Sequence, residues 1–245
     1  MIRILSIGNS FSQDAQRLLF PLAAANGIEI KNVNLYIGGC SLQTHYYNML
    51  ERADKYSLEY KGESTGFYVS IQEALMSDNW DYITLQQASH FSPFWETYQP
   101  YLNELAACVR KYCPHSKLLI HQTWSYEDDS EKLRGLNSFA TGTQMYSALE
   151  ECYARAAREI HADGLIPAGS AMMLAHRMGI EKVHRDTFHA ALGCGRLLLA
   201  ATWLCSLTGI NPATMRFVQA EKDVSASEQM ILREALAALR NAAML

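Results

Sequence analysis

The strongest constraint on the fold of this chain is the regular alternation of short apolar runs with longer helical segments. Five runs have the length and the apolar or β-branched content of buried strands. Helical segments separate them, so consecutive strands form βαβ units of a mostly parallel sheet. The predicted strands are 3–7, 30–37, 81–85, 117–121 and 165–167. The predicted helices are 14–26, 41–52, 94–112, 140–161, 190–207 and 225–243.

Two polar segments interrupt this alternation. Segment 56–70 alternates around Gly62 and Gly66, which indicates a β-hairpin laid over the sheet, and 124–139 is a polar loop that we expect at the rim of a site. No repeat or linker divides the chain, and 245 residues are enough for one large hydrophobic core. We therefore predict a single domain over residues 1–245.

Composition and charge exclude several classes of partner. With 49% hydrophobic and 19% charged residues the chain is globular, and its net charge of -4 comes without any basic run, which argues against nucleic-acid binding. The N-terminus lacks the apolar stretch of a secretory signal, and the most apolar segment, 197–207, is too short to span a membrane. The expected location is therefore the cytoplasm, with no membrane or nucleic-acid partner. The pattern gives no indication of oligomeric state.

The first candidate for chemistry is the sequence Gly8-Asn9-Ser10-Phe11-Ser12, which follows the first predicted strand and opens a helix. A serine there has its hydroxyl at the carboxyl edge of the sheet, where parallel sheets carry their sites. Its backbone N–H lies at a helix N-terminus, where negative charge on an oxyanion is stabilised. The alternative interpretation is that Ser10 or Ser12 only caps the helix.

The second candidate is the D-x-x-H sequence formed by Asp186 and His189 before a late apolar helix. At this spacing the carboxylate can bind the imidazole, fix its tautomer and support the imidazolium that forms when it takes a proton. Alone, the pattern is more typical of a capping aspartate with a surface histidine. A serine after the first strand together with this pair, however, indicates a Ser-His-Asp triad.

The two motifs together resemble those of the SGNH (GDSL-like) hydrolase superfamily, whose first block reads G-D-S and whose last block reads D-x-x-H. Here Asn9 replaces the aspartate of the first block. The set G-N-S-F-S, L-Q-Q-x-S and D-x-x-H is most similar to a branch known as DUF4886. The resemblance implies a three-layer α/β/α sandwich with a flavodoxin-like, mostly parallel five-stranded sheet, and metal-free ester hydrolysis without a cofactor.

The resemblance also implies an oxyanion hole. Its members would be the N–H groups of Ser10 and Gly39, with Gly39 standing at the second block. The third block, normally G-x-N-D, reads Leu85-Gln86-Gln87 here, and a glutamine amide offers the same donor on a longer arm. The sequence leaves open whether Gln86 or Gln87 points inward.

Other polar and aromatic residues compete for a place in the site. Asn9 and Trp124 are candidates for contacting the substrate, and Trp124 could stack on a sugar or acyl face or could equally be a packing residue. Residues 62–66 match G-x-S-x-G, but a polar segment precedes them where a nucleophile elbow needs a buried strand, which indicates a turn. His176, His184 and His189 lack the spacing of a metal site, so no metal is predicted.

The predicted function is therefore that of a serine esterase that acts through an acyl-enzyme on a small ester. The resemblance favours an acetyl group, which in this superfamily is often carried by a carbohydrate. The main alternative is a non-catalytic module of the same fold that binds a glycan or small ligand, since the third block is altered. A phosphate-handling or metal-assisted hydrolase is a further alternative, which the absence of a Gly-rich phosphate loop disfavours.

Overall fold

Seven strands form one sheet in the computed structural model, which describes residues 1–245. Their bounds are β1 Ile2–Gly8, β2 Ile30–Tyr36, β3 Tyr56–Tyr60, β4 Glu63–Val69, β5 Tyr82–Leu85, β6 Lys117–His121 and β7 Gly164–Ile166. The order across the sheet is β4-β3-β2-β1-β5-β6-β7, and β2, β1, β5, β6 and β7 are parallel. All five strands predicted from the sequence are present, in the flavodoxin-like order.

The sheet has seven strands rather than five because the 56–70 hairpin extends it. The expectation that this hairpin lies over the sheet is wrong: β3 pairs antiparallel with β2, and β4 then forms the edge. This arrangement satisfies backbone groups of β2 that would otherwise remain at an open edge. Lys61 and Gly62 both have positive φ, 55° and 84°, as a tight hairpin turn requires. Of the G-x-S-x-G match, which the sequence indicates to be a turn, only Gly62 lies in the hairpin turn; the remaining four residues belong to β4, where Ser64 is exposed.

Helices cover both faces of the sheet and complete the three layers. Helices α1, α2, α8, α9 and α10 pack together on one face, and α3, α4, α5 and α7 lie on the other. The helix bounds are α1 Ser10–Gln16, α2 Leu19–Ala25, α3 Leu42–Glu51, α4 Ile71–Met76, α5 Tyr101–Tyr112, α6 Glu131–Gly135, α7 Gly142–Glu159, α8 Ala168–Arg177, α9 Cys194–Thr208 and α10 Ala226–Asn241. No helix combines the length and the apolar character that crossing a bilayer requires.

The segment after β1 differs from the single helix predicted over 14–26. Helix α1 begins at Ser10 because Asn9 caps it, and the chain breaks after Gln16 before α2 starts at Leu19. Pro21 explains the break, since it cannot donate to the carbonyl four residues earlier and is tolerated only in a first helical turn. Helices α4 and α8 follow β4 and β7 directly and were not predicted.

Candidate active site

A cavity of about 590 Å³ lies at the carboxyl edge of the parallel strands. Its wall includes Ser10 from the end of β1, Gly39 from the loop after β2 and Ser89 from the loop after β5. His189 adds a side chain from the loop before α9, and Lys132 adds one from the short helix α6. The cavity therefore lies where ligands bind in open parallel sheets, and the 124–139 segment forms part of its rim.

Local structure at the end of β1 leaves the hydroxyl of Ser10 free of any capping role. The Asn9 side chain caps α1 by accepting a hydrogen bond from Phe11 N at 3.0 Å. Ser12 completes the capping box, because its Oγ accepts from the Asn9 N–H at 3.1 Å. Since these two residues cap the helix, the Ser10 Oγ is left to meet His189 Nε2 at 2.9 Å.

Asp186 and His189 form one compact turn. The Nδ1 of His189 donates to Asp186 Oδ2 at 2.8 Å, and the backbone N–H of His189 donates to Asp186 Oδ1 at 2.8 Å. Thr187, with φ of 69°, makes the turn tight enough for both contacts. Burial alone would raise the pKa of Asp186, but the hydrogen bonds from His189 outweigh it and the pKa is lowered. The structure thus brings Ser10, His189 and Asp186 into one hydrogen-bonded row.

Asp14 joins helix α1 to the loop that carries this turn. Its carboxylate is fully buried one helical turn after Ser10, and it accepts hydrogen bonds from Arg185 Nη1 at 2.8 and 3.0 Å. It also accepts from the Ala190 N–H at 3.1 Å and from Arg196 Nε at 2.9 Å. Two arginines and a backbone donor therefore balance this buried charge, as a buried carboxylate requires.

A second set of hydrogen bonds joins the ends of four strands beneath the cavity. His121 Nδ1 donates to Gln86 Oε1 at 2.7 Å, and Gln86 Nε2 donates to Asn9 Oδ1 at 2.7 Å. Asn9 Nδ2 in turn donates to the carbonyl of Cys40 at 3.0 Å. Complete burial lowers the pKa of His121 to about 3, so the ring is neutral at physiological pH. This series of hydrogen bonds fixes the loop after β2 relative to Ser10.

The two glutamines of the third block do not line the cavity. The Gln86 amide makes the hydrogen bonds to His121 and Asn9 just described, and it lies below the site rather than in its wall. Gln87 Oε1 accepts from the Leu42 and Ala88 N–H groups, and its Nε2 donates to Thr97. Both amides thus hold loops together, and the side-chain amides in the cavity wall are those of Asn9 and Gln13.

Trp124 also lies behind the wall and not in it. Its ring is 1% exposed and stacks on Phe11 at 4.2 Å between centroids, and its Nε1 donates to the Phe188 carbonyl at 2.8 Å. It is therefore a packing residue that supports the loop before His189. His121, the last residue of β6, is likewise fully buried, against the ring of Trp203.

The backbone N–H groups of Ser10 and Gly39 are among those at the cavity that have no acceptor within the chain. Ser10 is the first residue of α1, where helical N–H groups lack partners inside the helix. Gly39 has φ of 65°, a conformation that favours glycine over any residue with a Cβ atom. Both predicted backbone donors are therefore available to a ligand oxygen.

Sequence reasoning missed the charged residues that surround these groups. Asp14, Arg185 and Lys132 were not singled out, although Asp14 is an acidic residue four positions after Ser10 on the same helix face. An aspartate on the inner face of a helix that packs on a sheet needs a cationic partner. That requirement is the signal that could have indicated Asp14, but the sequence alone would not have identified Arg185 as the partner.

The model of one protein family matches almost the entire chain, residues 3–238, and it is described as the Domain of unknown function DUF4886. This chain belongs to the DUF4886 family. A crystal structure of a DUF4886 protein from Bacteroides uniformis superposes with a TM-score of 0.90 and 30% identity, over 100% of this chain and 96% of that one. No curated protein matches the chain.

Less similar structures show that this fold is the one found in SGNH hydrolases. A protein from Slackia heliotrinireducens assigned as an SGNH hydrolase matches at TM-score 0.61 and 22% identity, over 84% of this chain and 98% of that one. An acetylxylan esterase from Geobacillus stearothermophilus matches at TM-score 0.51 and 13% identity, over 84% and 94%. At these identities the comparison concerns the fold alone.

Proposed function

We propose that this DUF4886 protein is a serine esterase with Ser10 as nucleophile, His189 as general base and Asp186 as the residue that orients the base. The observation that carries the proposal is the row of hydrogen bonds from Ser10 Oγ to His189 Nε2 at 2.9 Å and from His189 Nδ1 to Asp186 Oδ2 at 2.8 Å. These distances are those of a nucleophile, base and orienting carboxylate that act as one unit.

Acylation begins when His189 takes the proton of Ser10 and the hydroxyl oxygen attacks the ester carbonyl. The N–H groups of Ser10 and Gly39 hold the oxyanion of the tetrahedral intermediate, each donor contributing about 3 kcal/mol to barrier lowering. His189 then passes its proton to the departing alcohol. Asp186 keeps Nδ1 protonated throughout, so that Nε2 remains the basic nitrogen.

Deacylation repeats the same steps with water in place of the serine hydroxyl. His189 takes a proton from water, the resulting hydroxide attacks the acyl carbonyl, and the carboxylic acid leaves as Ser10 regains its proton. We propose a short acyl group, acetyl, carried by a carbohydrate. The shared fold of an acetylxylan esterase and the polar character of the cavity wall support this choice.

Labelling with a fluorophosphonate tests the proposed nucleophile directly. We expect one equivalent of probe per chain, located at Ser10 by peptide mass spectrometry, because only an activated serine attacks phosphorus at a useful rate. The variant His189→Ala should label at least about 100-fold more slowly, since general-base catalysis contributes 10²–10⁴-fold. Binding of an acetylated sugar without any labelling would instead support the non-catalytic binding module.

A further inference from the structure

The charged side chains that line the cavity over Ser10 are cationic, although the chain as a whole carries a net charge of -4. Lys132 and Arg185 both line it, and no aspartate or glutamate does. A cleft lined by one sign of charge concentrates the electric field and attracts ligands of the opposite sign. The charge of the wall therefore bears on the charge of the substrate, which the triad alone does not determine.

Arg185 presents an unoccupied edge of its guanidinium. Its Nη1 makes all of its hydrogen bonds, to both oxygens of Asp14 and to the carbonyl of Ala190. Its Nε and Nη2 donate to no group of the chain, and 27% of the side chain remains exposed. The Arg185 guanidinium is thus held in one orientation, and its Nε and Nη2 remain free to donate. A guanidinium edge of this kind matches the two oxygens of a carboxylate.

Lys132 places a second cation close to the triad. Its Nζ lies 4.4 Å from the centroid of the Phe188 ring, and that ring is 3.9 Å from the ring of His189. Lys132 forms no ion pair with any carboxylate of the chain. Its charge is therefore available to a ligand in the cavity.

The carboxylates nearest the wall do not line the cavity, and of its two cations only Arg185 is paired with one of them. Asp14 is fully buried and shared by Arg185 and Arg196. Glu59 is buried under hydrogen bonds from Asn34 and Gln13, and Asp186 is bound by His189.

We propose that the ester substrate of this enzyme carries a carboxylate, which Arg185 and Lys132 bind while Ser10 attacks the acyl group. The inference rests on the esterase function proposed above and narrows its substrate class to acyl esters of acidic molecules. An acetylated sugar acid combines both requirements. Arg185 orients the substrate carboxylate, and Lys132 adds an unpaired positive charge beside Ser10 and His189.

Three aryl acetates that differ only in charge test the proposal: phenyl acetate, 3-acetoxybenzoate and 3-acetoxy-N,N,N-trimethylanilinium. Each kcat/KM is divided by the rate of hydroxide-catalysed hydrolysis to remove differences in intrinsic reactivity. We expect the carboxylate ester to exceed phenyl acetate by about tenfold, the value of one charge-assisted hydrogen bond, and the cationic ester to be the poorest. Equal corrected kcat/KM values for the three esters, or a preference for the neutral or cationic ester, would overturn the proposal.

A pair of variants on α6 locates the source of the preference. Lys132→Gln and Arg134→Gln each remove one positive charge from the same short helix, but only Lys132 lines the cavity. We expect Lys132→Gln to reduce the preference for 3-acetoxybenzoate at least threefold and Arg134→Gln to leave it intact. Equal effects of both variants would contradict a local role for Lys132. If no aryl acetate is hydrolysed, the esterase function itself fails, an outcome distinct from hydrolysis without a charge preference.

Discussion

The carboxylate of Asp14 accepts a hydrogen bond from the backbone N–H of Ala190 at 3.1 Å, which joins helix α1 to the residue after His189. Asp14 and Ser10 lie on the same helix, so this contact fixes the separation between Ser10 and His189, which exchange the proton in the proposed mechanism. A shift of about 1 Å between such groups lowers rates by as much as 100-fold. The buried carboxylate is therefore expected to position the triad, although it does not touch the cavity.

Replacement Asp14→Ala should lower both stability and activity. It leaves Arg185 and Arg196 without their shared counter-charge, and the loss of one partner from a buried ion pair destabilises a fold by about 3–5 kcal/mol. Urea titration measures the first effect and kcat the second. The control Glu221→Gln removes a more exposed partner of Arg196 and should change stability by less than about 1 kcal/mol. Wild-type kcat in folded Asp14→Ala would contradict the positioning role.

Gln86 and Gln87 should respond differently to replacement by leucine. Gln86→Leu leaves His121 Nδ1 and Asn9 Oδ1 without this partner and frees the loop that holds Gly39, so we expect kcat to fall about tenfold or more. Gln87→Leu breaks contacts to Thr97 and Leu42 away from the cavity, and we expect lower stability with kcat within about threefold of wild type.

Steady-state kinetics and urea titration of both variants check this difference. The opposite pattern, with kcat lost in Gln87→Leu and retained in Gln86→Leu, would return Gln87 to the oxyanion hole that the resemblance implies. Such a result would require Gln87 to leave its hydrogen bonds with Thr97 when substrate binds.

Trp124 should contribute to stability and not to substrate selectivity. Trp124→Phe keeps an aromatic ring beneath Phe11 but removes the hydrogen bond to the Phe188 carbonyl, so the free energy of unfolding should fall by about 1–3 kcal/mol. The ratio of kcat/KM between sugar and simple alkyl acetates should not change, because the ring is outside the cavity wall. A changed ratio would show that the ring reaches the substrate.

Stability should decrease as the pH falls below neutrality because three histidines are buried. Burial lowers the pKa of His45 and His121 to about 3 and that of His184 to about 4, against about 6.5 in the unfolded chain. The unfolded state therefore binds more protons below pH 6.5, and each histidine lowers the free energy of unfolding by up to about 1.4 kcal/mol per pH unit between pH 6.5 and its folded pKa.

Urea titrations at pH 7.5, 6.0 and 5.0 measure this slope. His45→Gln should reduce the slope by the contribution of one proton, whereas His115→Gln, at an exposed position, should leave it unchanged. A free energy of unfolding that stays constant from pH 7.5 to 5.0 would show that these rings accept protons in the folded state.

The sequence predicted the parallel strands from local pattern, and it predicted that Ser10, Asp186 and His189 lie together, as their hydrogen bonds show. Apolar runs define β1 and β2, and Ser10 follows β1 at the carboxyl edge of the parallel strands. The D-x-x-H turn follows no strand but lies between α8 and α9, and only the combination of the two motifs linked it to Ser10. The position of the hairpin was predicted incorrectly because alternation identifies a strand but does not say which edge it joins.

Side-chain direction accounts for the remaining differences. The adjacent residues Gln86 and Gln87 and the ring of Trp124 stand at strand ends, where the backbone curves and pattern no longer fixes which way a side chain points. The contacts of Asp14 with Arg185 and Arg196 span more than 170 positions, a separation that no local motif reports.

Hydrolysis of p-nitrophenyl acetate by wild type, Ser10→Ala and His189→Ala tests the central claim most directly. Ser64→Ala, on the exposed strand β4, is the matched serine control. The account predicts turnover by wild type and Ser64→Ala, and a loss of at least about 1000-fold in kcat for Ser10→Ala and His189→Ala with their folds intact. Wild-type turnover by Ser10→Ala would contradict the proposed triad.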